Sequence, residues 1–98
     1  MRKPFFSIIT PVLNGQNFID HTIKSVINQN YKDFEYIIID GGSKDRTKEI
    51  ITKYGVKIDK FISEKDSGMY DAIKKGFDLS RGRYFLWLNS DDFLRNNN

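Results

Sequence analysis

Three short and almost uninterrupted apolar runs, rich in β-branched and aromatic residues, constrain the fold of this chain most strongly. They occupy residues 5–13 (FFSIITPVL), 34–39 (FEYIII) and 84–88 (YFLWL). Runs of this length and composition are typical of strands buried on both faces, as in a parallel sheet. A weaker run at 56–63 (VKIDKFIS) alternates in character, which predicts a strand at a sheet edge.

The segments between these runs have apolar residues at helical spacing. The stripes are Ile19, Ile23, Val26 and Ile27; Thr47, Ile50, Ile51 and Tyr54; and Met69 or Tyr70, Ile73 and Phe77. Ser43 and Ser67 are the predicted N-caps of the second and third helices. Asp45 and Asp71 are predicted in the first turns, where the helix dipole favours acidic side chains. Gly55 is the predicted stop of the second helix.

This alternation predicts an α/β fold: a Rossmann-like parallel sheet in the order β-α-β-α-β-α-β, with right-handed crossovers. A length of 98 residues predicts one domain, residues 1–98. The net charge is small (16 − 13 = +3) and dispersed, which argues against nucleic acid as a partner. No segment approaches the ~20 apolar residues of a membrane span, and we expect a cytoplasmic protein.

Polar residues follow each predicted strand, at the edge of the sheet where such folds bind ligands. Asp40, Asp66, Asp91 and Asp92 are predicted to converge on one rim. Carboxylates there suit hydroxyls, base edges and a divalent cation that carries phosphates. The adjacent Asp91 and Asp92 favour Mg²⁺ or Mn²⁺, although Asp91 as a helix cap and Asp92 as a solvated acid is an equal alternative. Asp40 suits a ribose or base contact, or is a simple turn acid in Asp-Gly-Gly.

In this order, the elements resemble the family 2 glycosyltransferases of the GT-A fold. The similar segments are FSIITPVLNGQNFI, SVINQNYKDFEYIIIDGGSKDRT and SEKDSGMYDAIKKGFDLSRGRYFLWLNSDD. The string SEKDSGMYDAI most resembles the branch that builds bacterial surface polysaccharides of the O-antigen, capsule and colanic-acid types. The resemblance covers residues 4 to 94. It implies the N-terminal, nucleotide-binding half of a GT-A fold.

The resemblance implies a nucleotide-sugar donor, with a uridine diphosphate sugar favoured. Pro11 and Asn14 would line the nucleotide pocket, largely through their backbone. Asp40 would hydrogen-bond the uracil or equivalent base. Asp66 and Gly68 would form the pocket wall near the base and ribose.

The remaining implied roles concern the diphosphate and the sugar. Asp91 would contact the ribose or the sugar, and Asp92 would ligate the Mg²⁺ or Mn²⁺ that bridges the diphosphate. Lys74 stands where this branch has asparagine, and it either contacts phosphate or points to solvent. The resemblance thus implies a divalent cation as cofactor.

The implied reaction is transfer of the sugar to an acceptor hydroxyl with inversion, in the biosynthesis of a cell-surface polysaccharide. The acceptor would be a glycan or a lipid-linked molecule. In the family the catalytic base lies well downstream of the acidic motif, so we expect it beyond residue 98. The alternative is a non-catalytic, nucleotide-binding remnant that lacks this base and the acceptor-binding half.

The last apolar run has a further consequence. Phe85 and Trp87 are predicted to be core residues. If the strand at 84–88 lies at an edge, however, it exposes apolar surface and unpaired backbone. We therefore expect a homo-oligomer that pairs near this strand.

Overall fold

The computed structural model describes residues 4–29, 33–65 and 68–88. Its elements in chain order are β1 (Phe6–Val12), α1 (Ile19–Ile27), β2 (Phe34–Asp40), α2 (Thr47–Thr52), a 3₁₀ turn (Gly55–Lys57), β3 (Lys60–Ser63), α3 (Met69–Leu79) and β4 (Tyr84–Trp87). The four strands form one parallel sheet in the order β3-β2-β1-β4. The predicted β-α-β-α-β-α-β, Rossmann-like architecture is therefore confirmed. None of the described helices has the length and hydrophobicity needed to cross a membrane.

Both faces of the two central strands are buried, because helices cover each face. On one face, apolar side chains of β1 and β2 pack with α1 and α2; on the other, they pack with α3. The first set includes Ile8, Tyr36 and Ile38, and the second includes Ile9, Ile37 and Ile39. Burying one such isoleucine stabilises the fold by about 1.5–3 kcal/mol. This two-sided burial explains why β1 and β2 are continuous apolar runs in the sequence.

The approach of α3 to β1 depends on Gly76. A Cβ atom at this position would lie 2.5 Å from Cγ2 of Ile9, whose side chain is fully buried. The absence of a side chain therefore lets the helix pack directly against the sheet.

The third strand is shorter than the sequence predicted. Only Lys60–Ser63 forms a strand, and it lies at a sheet edge as expected. The prediction that the strand begins at Val56 is wrong, because Gly55 adopts a left-handed backbone (φ 55°) and the chain continues into the 3₁₀ turn. Val56 is 96% exposed, so it contributes nothing to the core. The second helix also ends before Gly55, at Thr52.

The fourth strand lies at the opposite edge, and among the described residues it pairs with β1 alone. Tyr84, Leu86 and Trp87 are 55%, 41% and 40% exposed. The prediction that Trp87 is a core residue is therefore wrong, because α3 covers only part of this edge. Phe85 is half-buried and packs with the α3 side of the core. The expected exposure of apolar surface at this strand is confirmed.

A buried carboxylate ties the sheet to the turn between α3 and β4. Glu35 on β2 accepts hydrogen bonds from the Ser7 hydroxyl (2.6 Å) and from the backbone N–H of Arg81, and it pairs with Lys60 (3.4 Å). The N–H of Gly82 in turn donates to the Ser7 hydroxyl at 2.7 Å. Burial opposes ionisation, but these donors outweigh it and hold the pKa of Glu35 below its usual value.

Candidate functional site

The carboxyl ends of β1, β2 and β3 lie side by side at one edge of the sheet. Val12 is paired with Asp40, and Asp40 is paired with Ser63. Just beyond the strands, the N–H of Gly41 donates to the carbonyl of Val12 (2.9 Å), and that of Glu64 donates to the carbonyl of Asp40 (3.0 Å). We call these strand ends and the described residues that follow them, residues 13–18, 41–46, 64–65 and 68, the rim.

Asp40 lies beneath the rim with its side chain engaged by the protein itself. The residue is fully buried. Its Oδ2 atom accepts the N–H groups of Gly42 (3.1 Å) and Ser43 (2.9 Å) and the hydroxyl of Ser63 (2.9 Å). Its Oδ1 atom accepts the hydroxyl of Ser43. The structure thus places Asp40 at the predicted edge, as the acceptor of four hydrogen bonds from within the chain.

Asn14 joins the first loop of the rim to the second. Its backbone N–H donates to the Ser43 hydroxyl at 2.7 Å, and its side-chain Oδ1 accepts the N–H of Lys44 at 2.8 Å. Its backbone has a left-handed conformation (φ 51°), which asparagine tolerates better than most residues. The side chain and the unusual backbone together hold the two loops against each other.

Three more hydrogen bonds extend this junction between the loops. The N–H of Gly15 donates to the Thr47 hydroxyl (2.9 Å), and that of Gln16 donates to Asp45 (3.2 Å). The side-chain oxygen of Gln16 accepts the N–H of Arg46 at 3.0 Å. The two loops are therefore fixed relative to each other before any ligand binds.

Asp45, and not Ser43, provides the acceptor at the start of α2. The prediction of Ser43 as N-cap is wrong: the N-cap position is Arg46, and the Ser43 hydroxyl is held by Asp40. Asp45 precedes the helix and accepts the N–H (2.9 Å) and the hydroxyl of Thr47. Partial desolvation opposes its ionisation, but these donors and the Gln16 N–H outweigh it and lower the pKa of Asp45.

The structure also shows where two further predicted site residues lie. Pro11 is buried in β1 and pairs with Ile39 of β2. The described pairing of β1 with β4 ends two residues earlier, at Ile9 and Trp87. Proline has no backbone N–H, and at this position its absence interrupts none of the described hydrogen bonds between strands. Gly68 is exposed at the start of α3, with a left-handed φ of 117°.

Lys74 lies on the exposed side of α3. It forms an ion pair with Asp78 at 3.2 Å, and its side chain is 76% exposed. This exposed position is compatible with the solvent-facing alternative, and the phosphate contact stays a prediction.

Asp66, Asp91 and Asp92 lie outside the described residues, so their predicted convergence with Asp40 stays a prediction. The prediction of Ser67 as N-cap of the third helix is wrong, because the N-cap position of α3 is Gly68. Within the described ranges, no three acidic, histidine or cysteine side chains cluster as a metal site.

Sequence reasoning missed two residues that organise the rim. Ser63 had no predicted role, because its bond to Asp40 crosses between strands 23 positions apart in sequence. Lys75 forms an ion pair with Glu64 (2.9 Å) and lies 3.7 Å from Asp71, so it ties α3 to the loop after β3. Only its spacing of four from Asp71 was visible in the sequence.

Comparison with known proteins identifies the family of this chain. The sequence profile described as glycosyl transferase family 2 matches residues 7–97. The chain belongs to this family. A glycosyltransferase from Rickettsia typhi is 42% identical over 90 residues, which is 92% of this chain and 28% of the relative. A PGL/p-HBAD biosynthesis glycosyltransferase from Mycobacterium bovis is 36% identical over 97 residues, or 96% of this chain and 38% of the relative. The chain thus spans well under half the length of these family 2 relatives.

Solved structures of glycosyltransferases share the fold. Residues 1–349 of TarS from S. aureus, in complex with UDP-GlcNAc, have a TM-score of 0.83 and 26% identity, covering 91% of this chain and 27% of that one. A mannosyltransferase from Pyrobaculum calidifontis has a TM-score of 0.79 at 17% identity, covering 93% of this chain and 28% of that one. These likenesses confirm the predicted GT-A type of fold for this family 2 chain.

Proposed function

We propose that the rim of this family 2 chain binds the nucleoside diphosphate part of an activated sugar, as the donor-binding portion of a glycosyltransferase. The observation that carries the proposal is the junction of the first two loops at the carboxyl ends of the strands. Asn14, Ser43 and Asp40 join these loops by short hydrogen bonds. In α/β sheets this edge is where ligands bind, and a pre-ordered loop pair lowers the entropy cost of binding.

The relatives support a nucleotide-sugar donor. TarS structures are described in complex with UDP-GlcNAc and with UDP, at 26% and 25% identity to this chain. A uridine diphosphate sugar is therefore the donor that we propose. Biosynthesis of a cell-surface polysaccharide is the proposed setting, because the string SEKDSGMYDAI most resembles the branch of the family that builds such polymers.

The proposed contacts follow the family resemblance. Pro11, Asn14 and Gly68 line the nucleotide pocket; Asp66 completes its wall. Asp91 contacts the ribose or sugar. Lys74, which pairs with Asp78, keeps its two predicted alternatives, a phosphate contact or a solvent-facing position.

Asp92 would hold Mg²⁺ or Mn²⁺, and carboxylates are the ligands that these cations prefer. A bound divalent cation neutralises charge that grows on the leaving diphosphate, more in the transition state than in the ground state. Inverting transfer to a hydroxyl also needs a carboxylate base, which we place beyond residue 98.

The acceptor, the location and the assembly complete the proposal. The acceptor is a glycan or lipid-linked hydroxyl, and the reaction takes place in the cytoplasm or at the inner face of the membrane.

The exposed β4 edge favours self-association, because Leu86 and Trp87 present apolar surface beside an edge strand. Sedimentation would show a dimer or larger species that Leu86→Lys dissociates; a wild-type monomer at micromolar concentration contradicts this part.

Thermal unfolding with and without ligand tests the donor site. UDP with Mn²⁺ at tenfold over Kd should stabilise the chain by about 1.4 kcal/mol. For a domain of this size, that is a rise in Tm of about 6–11 °C. Asp92→Asn should abolish the Mn²⁺-dependent part of the rise. The control Asp78→Asn removes an exposed acidic group far from the rim and should leave the rise unchanged.

Failure of UDP and Mn²⁺ to raise the Tm of the wild-type chain would contradict the proposal. A rise with no sugar transfer to any acceptor would instead support the non-catalytic, nucleotide-binding alternative.

A further inference from the structure

The carboxylate of Asp40 connects three segments of the rim. Through Ser43 it reaches the first loop, because the Ser43 hydroxyl also accepts the N–H of Asn14 (2.7 Å). Through Ser63 it reaches the end of β3 (2.9 Å). A continuous chain of hydrogen bonds therefore runs from Asn14 through Ser43 and Asp40 to Ser63, across the ends of three neighbouring strands.

Four donors from the protein bond the Asp40 carboxylate, three of them at Oδ2 and one at Oδ1. A carboxylate oxygen has about two lone-pair positions, so Oδ2 has no accepting capacity left for a ligand. The residue is also completely buried. A nucleobase could reach it only if one of the internal donors were displaced, and an unpaired buried donor is costly.

We infer that Asp40 is a positioning residue of the proposed donor site, which holds the loops of the rim in place without contacting the nucleobase. This inference rests on the proposed function, and it replaces the base contact that the family resemblance implies for Asp40. The loops that Asp40 fixes carry Asn14 and Gly42, whose N–H groups donate to the Ser43 hydroxyl and to Asp40 itself.

A positioning role and a base contact predict different effects of substitution. If Asp40 only orders the loops, its replacement weakens binding of every nucleoside diphosphate by the same factor. If Asp40 instead accepts the N3–H of uracil, its replacement abolishes the preference for UDP over a base that lacks this proton. The ratio of two affinities therefore separates the two roles.

The experiment measures Kd for UDP and for N3-methyl-UDP, with Mn²⁺, by calorimetry on the wild-type chain, Asp40→Asn and Ser63→Ala. Asp40→Asn replaces one carboxylate oxygen with an N–H₂ group, which cannot accept hydrogen bonds from the surrounding donors. Both affinities should therefore fall at least about fivefold. Ser63→Ala removes one of the four bonds, and both affinities should fall about two- to threefold. In each variant the ratio of the two Kd values should stay at the wild-type ratio.

The matched control is Ser80→Ala, which removes a serine hydroxyl that donates to Phe77 at the other end of α3. It should leave both Kd values unchanged. Circular dichroism tests whether each variant is folded at the assay temperature. If Asp40→Asn does not fold, the result for Ser63→Ala tests the positioning role of Asp40.

Each outcome has a distinct meaning. A changed ratio in Asp40→Asn, or a folded Ser63→Ala with unaltered affinity, would overturn the positioning role while the proposed function stands. A wild-type chain that binds neither nucleotide would overturn the proposed function, and the positioning role with it.

Discussion

Replacement of Asn14 separates the two ways in which this residue joins the loops of the rim. Its left-handed backbone costs most residues about 1–2 kcal/mol but suits asparagine, aspartate and glycine. Its side chain accepts the N–H of Lys44, a bond that contributes about 0.5–1.5 kcal/mol. Asn14→Gly loses the bond and adds freedom to the unfolded chain, so we expect a loss of about 1–2 kcal/mol. Asn14→Ala loses the bond and is strained, so we expect about 2–3 kcal/mol.

Asn14→Asp is the matched control, because it retains both the acceptor and the tolerance for a left-handed backbone. Its free energy of unfolding should stay within about 0.5 kcal/mol of wild type. Urea denaturation followed by circular dichroism at 25 °C and moderate salt measures all three variants. Equal stabilities of Asn14→Ala and Asn14→Gly would refute the left-handed backbone. A loss in Asn14→Asp as large as in Asn14→Gly would refute the bond to Lys44.

Two other predictions concern the parts of the fold that support the rim. Glu35→Gln should cost about 1–3 kcal/mol near neutral pH, because a charged acceptor of buried donors is lost. The pKa of Glu35 is lower in the folded chain than in the unfolded chain. The ionised carboxylate therefore adds to the free energy of unfolding above the unfolded pKa of about 4.3, and this contribution is lost as the pH falls through the folded pKa. The gap between wild type and variant in urea denaturation should therefore narrow below about pH 4; a constant gap would contradict the charged network. Gly76→Ala should lower stability by about 1 kcal/mol, since overpacking against Ile9 exceeds the gain in helix propensity. An equal loss in an Ile9→Ala background would show that this contact is not the cause.

The sheet and its helices were predictable because two-sided burial leaves a clear pattern in the sequence. The runs that became β1 and β2 are apolar at almost every position, and helices cover both of their faces. The start of β3 was not predictable, because Val56 fits a strand by composition while the backbone at Gly55 turns it into a 3₁₀ turn. Trp87 was misjudged for a related reason: the uninterrupted apolar run YFLWL is typical of a central strand, whereas β4 lies at an edge of the described sheet.

The candidate site was predictable in its location but not in its bonding. The polar residues after the strands were expected at one edge, and Asn14 and Asp40 lie there. The internal bonding of Asp40 was not foreseeable, because one of its donors is the hydroxyl of Ser63, which only the pairing of β2 with β3 brings close. Likewise, Ser43 was predicted as the N-cap and Asp45 in the first turn of the second helix. The sequence could not show that Asp40 holds the Ser43 hydroxyl, or that Asp45 accepts the N–H of Thr47.

The central claim is that the nucleotide binds at the carboxyl ends of the strands, and amide NMR of the glycines tests it most directly. Gly41, Gly42 and Gly68 lie at the rim, whereas Gly55 and Gly82 lie in turns away from it. On titration with UDP and Mg²⁺, the first three amide signals should shift with one common Kd, while those of Gly55 and Gly82 stay in place. Shifts confined to Gly55 and Gly82, or no saturable shift at the rim, would contradict the account.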